Sequence, residues 1–179
     1  MKKYDCLQKN LFVEGLYKLL PIRYEDIFLI REWRNEQMDV LRQDKLLTTE
    51  DQELYYQEFI MPTFSQPKPK LILFSFLYQD ACIGYGGLTH IEWDNRRAEV
   101  SFLLATERAR NAEIYQKEFR IFLLLLKKIA FEDLRFHELF TETFDMRPKH
   151  IAILEDEGFN FQKRAPSNSV FHICRRENE

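Results

Sequence analysis

The feature that most limits how this chain can fold is a change of period at Leu71. Upstream, apolar residues keep helical spacing: Ile27, Ile30 and Trp33 run into "REWRNEQ", and Leu54, Tyr55 and Phe59 follow "TTEDQ". Downstream, "LILFSFLY", "CIGYGGLTHIEW" and "AEVSFLL" are rich in strand formers, and two short polar turns, "QDA" and "DNRR", join them. Connections that short permit only antiparallel neighbours, so the three segments predict a meander. The helical period then returns. From residue 112 to about 131, Tyr115, Phe119, Phe122, Leu126 and Ile129 share one stripe, and Leu123, Leu124 and Leu125 carry apolar surface around the circumference. A helix so apolar has to be buried, and the sheet is its natural support.

The flanks complete the pattern. "GLYKLL" predicts a short strand before the first helix, and Asp26 stands where it can cap that helix or lie in its first turn. Thr49 and Gln52 suit a capping box for the second helix, with Pro62 to end it and "MPTFSQPKPK" as an extended loop. "RFHELFTETFD" predicts a fourth main strand, and "RPKHIAILEDEGF" a short helix opened by Pro148 and stopped by Gly158. "FNFQKRAPSNSVFHICRRE" predicts a closing hairpin. The order β, α, α, β, β, β, α, β, α, β, β predicts one mixed α+β domain over residues 1–179.

Composition removes several function classes. Sixteen Phe and 45% hydrophobic residues exclude disorder. A net charge of −3 argues against a chain-wide nucleic-acid footprint. The longest apolar run, 121–126, is too short to cross a bilayer, and no apolar segment follows Lys2 and Lys3 as in a signal peptide. Cys6, Cys82 and Cys174 are scattered, with no CxxC pair, which suits free thiols in a reducing cytoplasm. His137, His172 and Cys174 lack metal-ligand spacing, so no metal is expected.

One junction carries chemistry. After "AEVSFLL" the chain turns through "ATERARN" into the long helix, with Arg108, Arg110 and Asn111 but no glycine. A helix N-terminus offers free N–H groups to an anion, and arginines add charge-assisted hydrogen bonds. The competing reading is two solvated surface arginines. "YGG" at 85–87 marks a bulge or a close backbone approach, since no helix follows it directly. His90 is a candidate base, with an ordinary pKa of about 6.5, set against the reading of a strand histidine bonded to backbone.

The element order together with "IGYGGLTHIEWDNRRAEVSFLL" and "AILEDEGF" resembles the GNAT superfamily of acyl-CoA-dependent N-acyltransferases, and "EWRNEQMDVLRQDKLLTTEDQELYY" resembles the first two helices of members that acetylate amino sugars on nucleotide carriers. That stretch is also compatible with members acting on protein N-termini. The resemblance covers nearly the whole chain. It implies a mostly antiparallel twisted sheet with a V-shaped splay between central strands, flanked by helices. It implies acetyl-CoA as co-substrate, its pantetheine completing the ladder beside Leu103, Leu104 and Ala105. The diphosphate would meet Arg108, Arg110, Asn111 and Ala112. Here the family's Gln/Arg-x-x-Gly-x-Gly/Ala pattern departs: Asn111 and Glu113 replace the small residues. Asn tolerates positive φ, whereas Glu113 would repel phosphate.

Glu99 matches the family's general base, set against a salt bridge to Arg96 or Arg97. The backbone N–H of Leu103 is the expected oxyanion donor. Arg34, Asn35 and Tyr85 are the candidate substrate contacts, although Arg34 and Asn35 also suit helix capping and loop bracing. Leu154 stands where many members carry an acidic Tyr, and Arg147 where they carry Asn, which leaves Tyr115 or Tyr85 to approach the thiol. The implied activity is acetyl transfer to a primary amine, an amino sugar or sugar nucleotide, by direct attack in a ternary complex. A protein N-terminus is the second acceptor, and a GNAT-fold binding module without turnover is the rival. Implied partners are a small-molecule amine and a second copy of the chain as a homodimer, with no nucleic acid and no membrane.

Overall fold

The computed structural model describes residues 2–176. Strands β1 (Phe12–Glu14) and β2 (Tyr17–Pro21) form a hairpin that precedes helices α1 (Ile27–Glu36) and α2 (Thr49–Tyr55). The meander follows as β3 (Ile72–Tyr78), β4 (Ala81–Glu92) and β5 (Arg97–Leu104). A single turn, α3 (Thr106–Ala109), leads to the long helix α4 (Ala112–Lys127). Strand β6 (Glu138–Phe144), helix α5 (Pro148–Asp156) and the hairpin β7 (Asn160–Ala165) and β8 (Ser169–Arg175) close the domain.

One sheet of eight strands results, in the order β1-β2-β3-β4-β5-β6-β8-β7. All neighbours are antiparallel except β5 and β6, which run parallel. The sequence omitted β1, whose three residues are too few to leave a period. Pro62 does not end the second helical region, which continues through Tyr56–Ile60 into a 3-10 segment, Met61–Ser65, with the proline in its first turn. The capping box lies one residue earlier than expected: Thr48 accepts from Asp51 N–H, and the Asp51 carboxylate accepts from Thr48 N–H. Asp26 occupies the cap position of α1 without capping it. Its buried carboxylate is instead held by Arg23 at 2.6 and 2.8 Å and by the Ser75 hydroxyl at 2.6 Å.

Helix α4 lies on the sheet through its apolar stripe, with Phe119, Phe122, Leu123, Leu125 and Leu126 all buried. Phe102 of β5 stacks on Phe119 at 4.6 Å and tilts against Phe122 at 4.7 Å. Gly86 makes this approach possible. A Cβ there would stand 2.1 Å from the Ser101 carbonyl and 2.8 Å from the Phe122 ring, so the expected close approach is real.

Candidate active site

The parallel pair is short. Arg97, Ala98 and Glu99 match Glu138, Leu139 and Phe140, and the two strands then part. From Val100 onward β5 keeps its bonds to β4 alone, and β6 from Thr141 onward keeps its bonds to β8. This is the splay the family resemblance implies. The Thr141 hydroxyl at its edge is buried and has no hydrogen-bond partner among the described residues. Such an orphan costs stability unless a bound group satisfies it, so the gap fits an extended polar chain carrying amides.

Strand alternation decides which backbone groups face that gap. Ala105 N–H donates to the Ile83 carbonyl of the β4 segment at 2.8 Å, and the Leu104 carbonyl, on the other side, accepts from Gln37 Nε2 at 2.9 Å. With a period of two, Leu103 and Ala105 face β4, whereas Val100, Phe102 and Leu104 face the splay. Leu103 N–H is therefore excluded as an oxyanion donor, because β4 uses it. Of the expected 103–105 stretch only Leu104 is on the splay side, and the other backbone groups turned that way are those of Val100 and Phe102.

A cavity of about 310 Å³ passes through the splay. On the side of α1 it meets Arg34, Arg42 and Glu99, and on the side of α4 and α5 it meets Phe102, Phe119 and His150. Two further cavities share wall residues with it. One, of about 410 Å³, lies under α2 and shares Arg34, Thr89 and Ser101 with the first. The other, of about 710 Å³, lies between the starts of α4 and α5 and shares Val40, Arg147 and His150 with the first. The second and third cavities thus border the first from the α2 side and from the α4–α5 side of the place where β5 and β6 part.

The two candidate bases come together at this meeting point. His90 Nδ1 lies 2.6 Å from Glu99 Oε2. Arg42 Nη2 contacts the other Glu99 oxygen at 2.8 Å, Glu142 Oε2 at 3.3 Å and the Glu142 carbonyl at 3.1 Å. Glu99 is 7% exposed, while the His90 side chain is 71% exposed. An ionised carboxylate can only accept, so His90 Nδ1 is the donor of this pair and Nε2 is the ring nitrogen not engaged by Glu99. The expected Glu99 partners, Arg96 and Arg97, are elsewhere: Arg97 pairs with Glu92 and Glu138, and Arg96 faces His137. His90 adopts a left-handed φ of 45° at a bulge between Thr89 and Glu92. That bulge breaks the alternation and turns the imidazole toward Glu99.

The basic turn differs from expectation. Arg108 grips buried Glu118 of α4 through Nε at 2.8 Å and through Nη2, with Tyr17 on the same carboxylate at 3.3 Å. It is a structural ion pair rather than a free phosphate ligand, because Glu118 is 1% exposed and needs a cation. Asn111 has φ −91°, and its side chain accepts from the N–H groups of Glu113 and Ile114. No residue of the turn has positive φ, which is why glycine is dispensable for its conformation. The amides expected to hold phosphate already have a partner, Asn111, and Glu113 is exposed and lines the cavity of about 710 Å³ beside them. Arg110 and Ala112 line the 710 Å³ cavity with Arg147 and Lys149.

The sequence missed a second polar cluster at the splay. Arg147 donates to the Tyr115 hydroxyl at 3.0 Å, and that hydroxyl lies 2.7 Å from His150 Nδ1. His150 stacks on Phe119 at 4.4 Å. Burial, reinforced by Arg147 and His172, holds its pKa well below 6.5, so it is neutral. Burial also pushes the Tyr115 phenol up. Tyr115 thus reaches the cavity wall, as the sequence allowed, but its partner 35 residues away left no sequence signal. Among the substrate candidates, Arg34 Nη1 bonds the Tyr85 hydroxyl at 2.6 Å. Asn35 has both ends of its amide on Leu47 and Gln43, so it braces the 43–47 loop and is withdrawn as a substrate contact. Among the described residues no cluster of His, Cys, Asp or Glu could hold a metal, and no helix is long and apolar enough to cross a membrane.

Residues 20–168 match the acetyltransferase (GNAT) domain. No curated protein matches by sequence. Among solved structures, the chain is similar to a spermidine N-acetyltransferase from Vibrio cholerae in complex with CoA and spermine, with TM-score 0.73, 16% identity, and 89% of this chain and 94% of that one covered. A dodecameric form of the spermidine enzyme gives TM-score 0.73 at 15% identity, covering 90% and 95%. A domain from Methanocaldococcus jannaschii gives 0.67 at 14%, covering 89% and 98%. At these identities the likeness is one of fold.

Proposed function

From the premise that this chain belongs to the GNAT acetyltransferase family, we propose that it moves an acetyl group from acetyl-CoA to a primary amine, in a ternary complex assembled across the sheet. The observation that carries this reading is the cavity through the splay, with His90 and Glu99 on one face and a wide groove on the other. When bound, acetyl-CoA supplies the activated thioester. Val100, Phe102 and the Leu104 N–H offer its amide chain a ladder, and Arg110, Arg147 and Lys149 offer charge to its phosphates. The amine enters from the cavity under α2.

His90 Nε2 takes the ammonium proton, Glu99 fixes the tautomer through Nδ1, and Arg42 fixes Glu99. The N–H groups facing the splay are available to a developing oxyanion. No side chain is assigned as the acid for the leaving thiolate. The acceptor is read as a small amino sugar or sugar nucleotide, and a homodimer as the assembly.

One observation favours a second reading, a binding module with little turnover: Asn111 already occupies the helix amides that would seat the diphosphate. A thiol-release assay with acetyl-CoA over a panel of primary amines separates the two. Amine-dependent CoA release is expected. Acetyl-CoA binding with no release for any amine would support the module, and no acetyl-CoA binding at all would contradict both.

A further inference from the structure

The acceptor entrance contains a cation with no carboxylate beside it. Arg34 is half-buried between the cavity under α2 and the cavity through the splay. Its Nε bonds Gln43 Oε1 at 3.0 Å, and its Nη1 bonds Tyr85 Oη. No salt bridge to it occurs among the described residues, in contrast to Arg23, Arg42 and Arg108, each of which holds a carboxylate. The ionisable groups that act on it are phenols, Tyr85 and Tyr55. A guanidinium removed from bulk water without a counter-charge is costly, and two named bonds leave donors of its planar fork free.

The same entrance has an apolar floor open to solvent. Tyr55 and Phe59 stack at 5.5 Å and 22°, and Phe59 is 56% and Leu54 55% exposed. Lys45 is a second cation at this entrance, and its single carboxylate, Asp51, serves the Thr48 cap. A polyamine would find two cations here and one occupied acid. The apolar stack suits a flat ring, and the guanidinium suits an anion.

We propose that the acceptor is an amine that also carries a negative group and a flat ring, with the anion on Arg34 and the ring on the Tyr55–Phe59 stack. This rests on the acetyl-transfer reading and narrows its substrate. It sets the chain apart from structural neighbours whose substrate is spermidine or spermine.

Calorimetry on the full chain, with saturating CoA to fill the donor groove, tests it with two probe pairs. Uridine diphosphate is compared with uridine, and phenylalanine with 2-phenylethylamine, each pair differing by its anion, with spermidine as the cationic control. In at least one pair the anionic member binds ten-fold or more tightly than its counterpart, and spermidine binds weakest. The pair that responds identifies the anion as diphosphate or carboxylate. Arg34→Gln abolishes the preference. Arg34→Lys keeps part of it and guards against a folding defect in the glutamine variant. Phe59→Ala, at an exposed position, weakens both members of the responding pair equally. Equal binding within both pairs, spermidine binding best, or an unchanged preference in Arg34→Gln overturns the proposal. A separate acetyl-CoA titration and the thiol-release assay distinguish its failure from failure of the transfer reading, which loss of donor binding or absence of amine-dependent release would sink.

Discussion

The two ends of β5 make a useful contrast. At the end that pairs with β6, Glu99 lies buried between His90 and Arg42, and all three line a cavity. At the other end the chain leaves the sheet through a turn just as rich in charge, but there the groups are used up internally. Arg108 is committed to Glu118, and Asn111 to its own helix. Similar residues thus do different work because of burial. A carboxylate left at a cavity wall with a polarised histidine is available for chemistry. One sealed under a helix consumes the arginine that would otherwise meet a ligand.

The sharpest way to break the contrast is at the β6 end. His90→Ala is expected to lower kcat by about 100- to 10,000-fold, the range of a lost general base, with acetyl-CoA affinity unchanged. Glu99→Gln, which disturbs only the orientation of the imidazole, is expected to cost about 10- to 100-fold. If Glu99→Gln is the more damaging of the two, Glu99 itself takes the proton. At the turn, Arg108→Ala is expected to lower unfolding free energy by about 3 kcal/mol, because it leaves Glu118 buried without a cation. Chemical denaturation measures this. A stable variant with weakened CoA binding would instead make Arg108 a phosphate ligand.

The α5 side predicts a pH effect on stability. His150 is held neutral in the fold, so the unfolded chain takes up its proton first as pH falls below about 6.5. The contribution is full above that pH. It is lost below it at up to about 1.4 kcal/mol per unit, until the folded-state pKa is reached. His150→Phe, which keeps a ring against Phe119, is expected to remove that slope in melts from pH 7 to 5. The smallest effect belongs to Asn111→Gly. It should cost only a few tenths of a kcal/mol while freeing the N–H groups of Glu113 and Ile114. A gain in CoA affinity would show that the cap competes with the diphosphate, and no change would place the phosphates on Arg110, Arg147 and Lys149.

The meander and the buried helix were legible because each follows from period and turn length, which are local, whereas the splay was implied only by the resemblance to the family. Glu99 and His90 were legible as residue types on adjacent strands. Their 2.6 Å contact was not, because it depends on a bulge that a sequence of alternating residues conceals. Arg42, Gln37 and Thr141 carried no signal. The importance of Arg42 and Gln37 arises from contacts 57 and 67 positions away with Glu99 and Leu104, and that of Thr141 from the parting of β5 and β6 after the Glu99–Phe140 pair. The turn misled for a related reason. Arg108 reads as a free cation until α4 folds back and brings Glu118 to it, and Asn111 reads as a glycine substitute until its side chain is seen to cap.

The central claim is that donor and acceptor reach each other through the gap between β5 and β6. A crystal structure with CoA tests it most directly. The pantetheine is expected alongside Val100 and Phe102, near the Thr141 hydroxyl, with the sulfur facing the His90–Glu99 pair. Pantetheine density outside the splay, with β5 and β6 closed along residues 100–104, would contradict it.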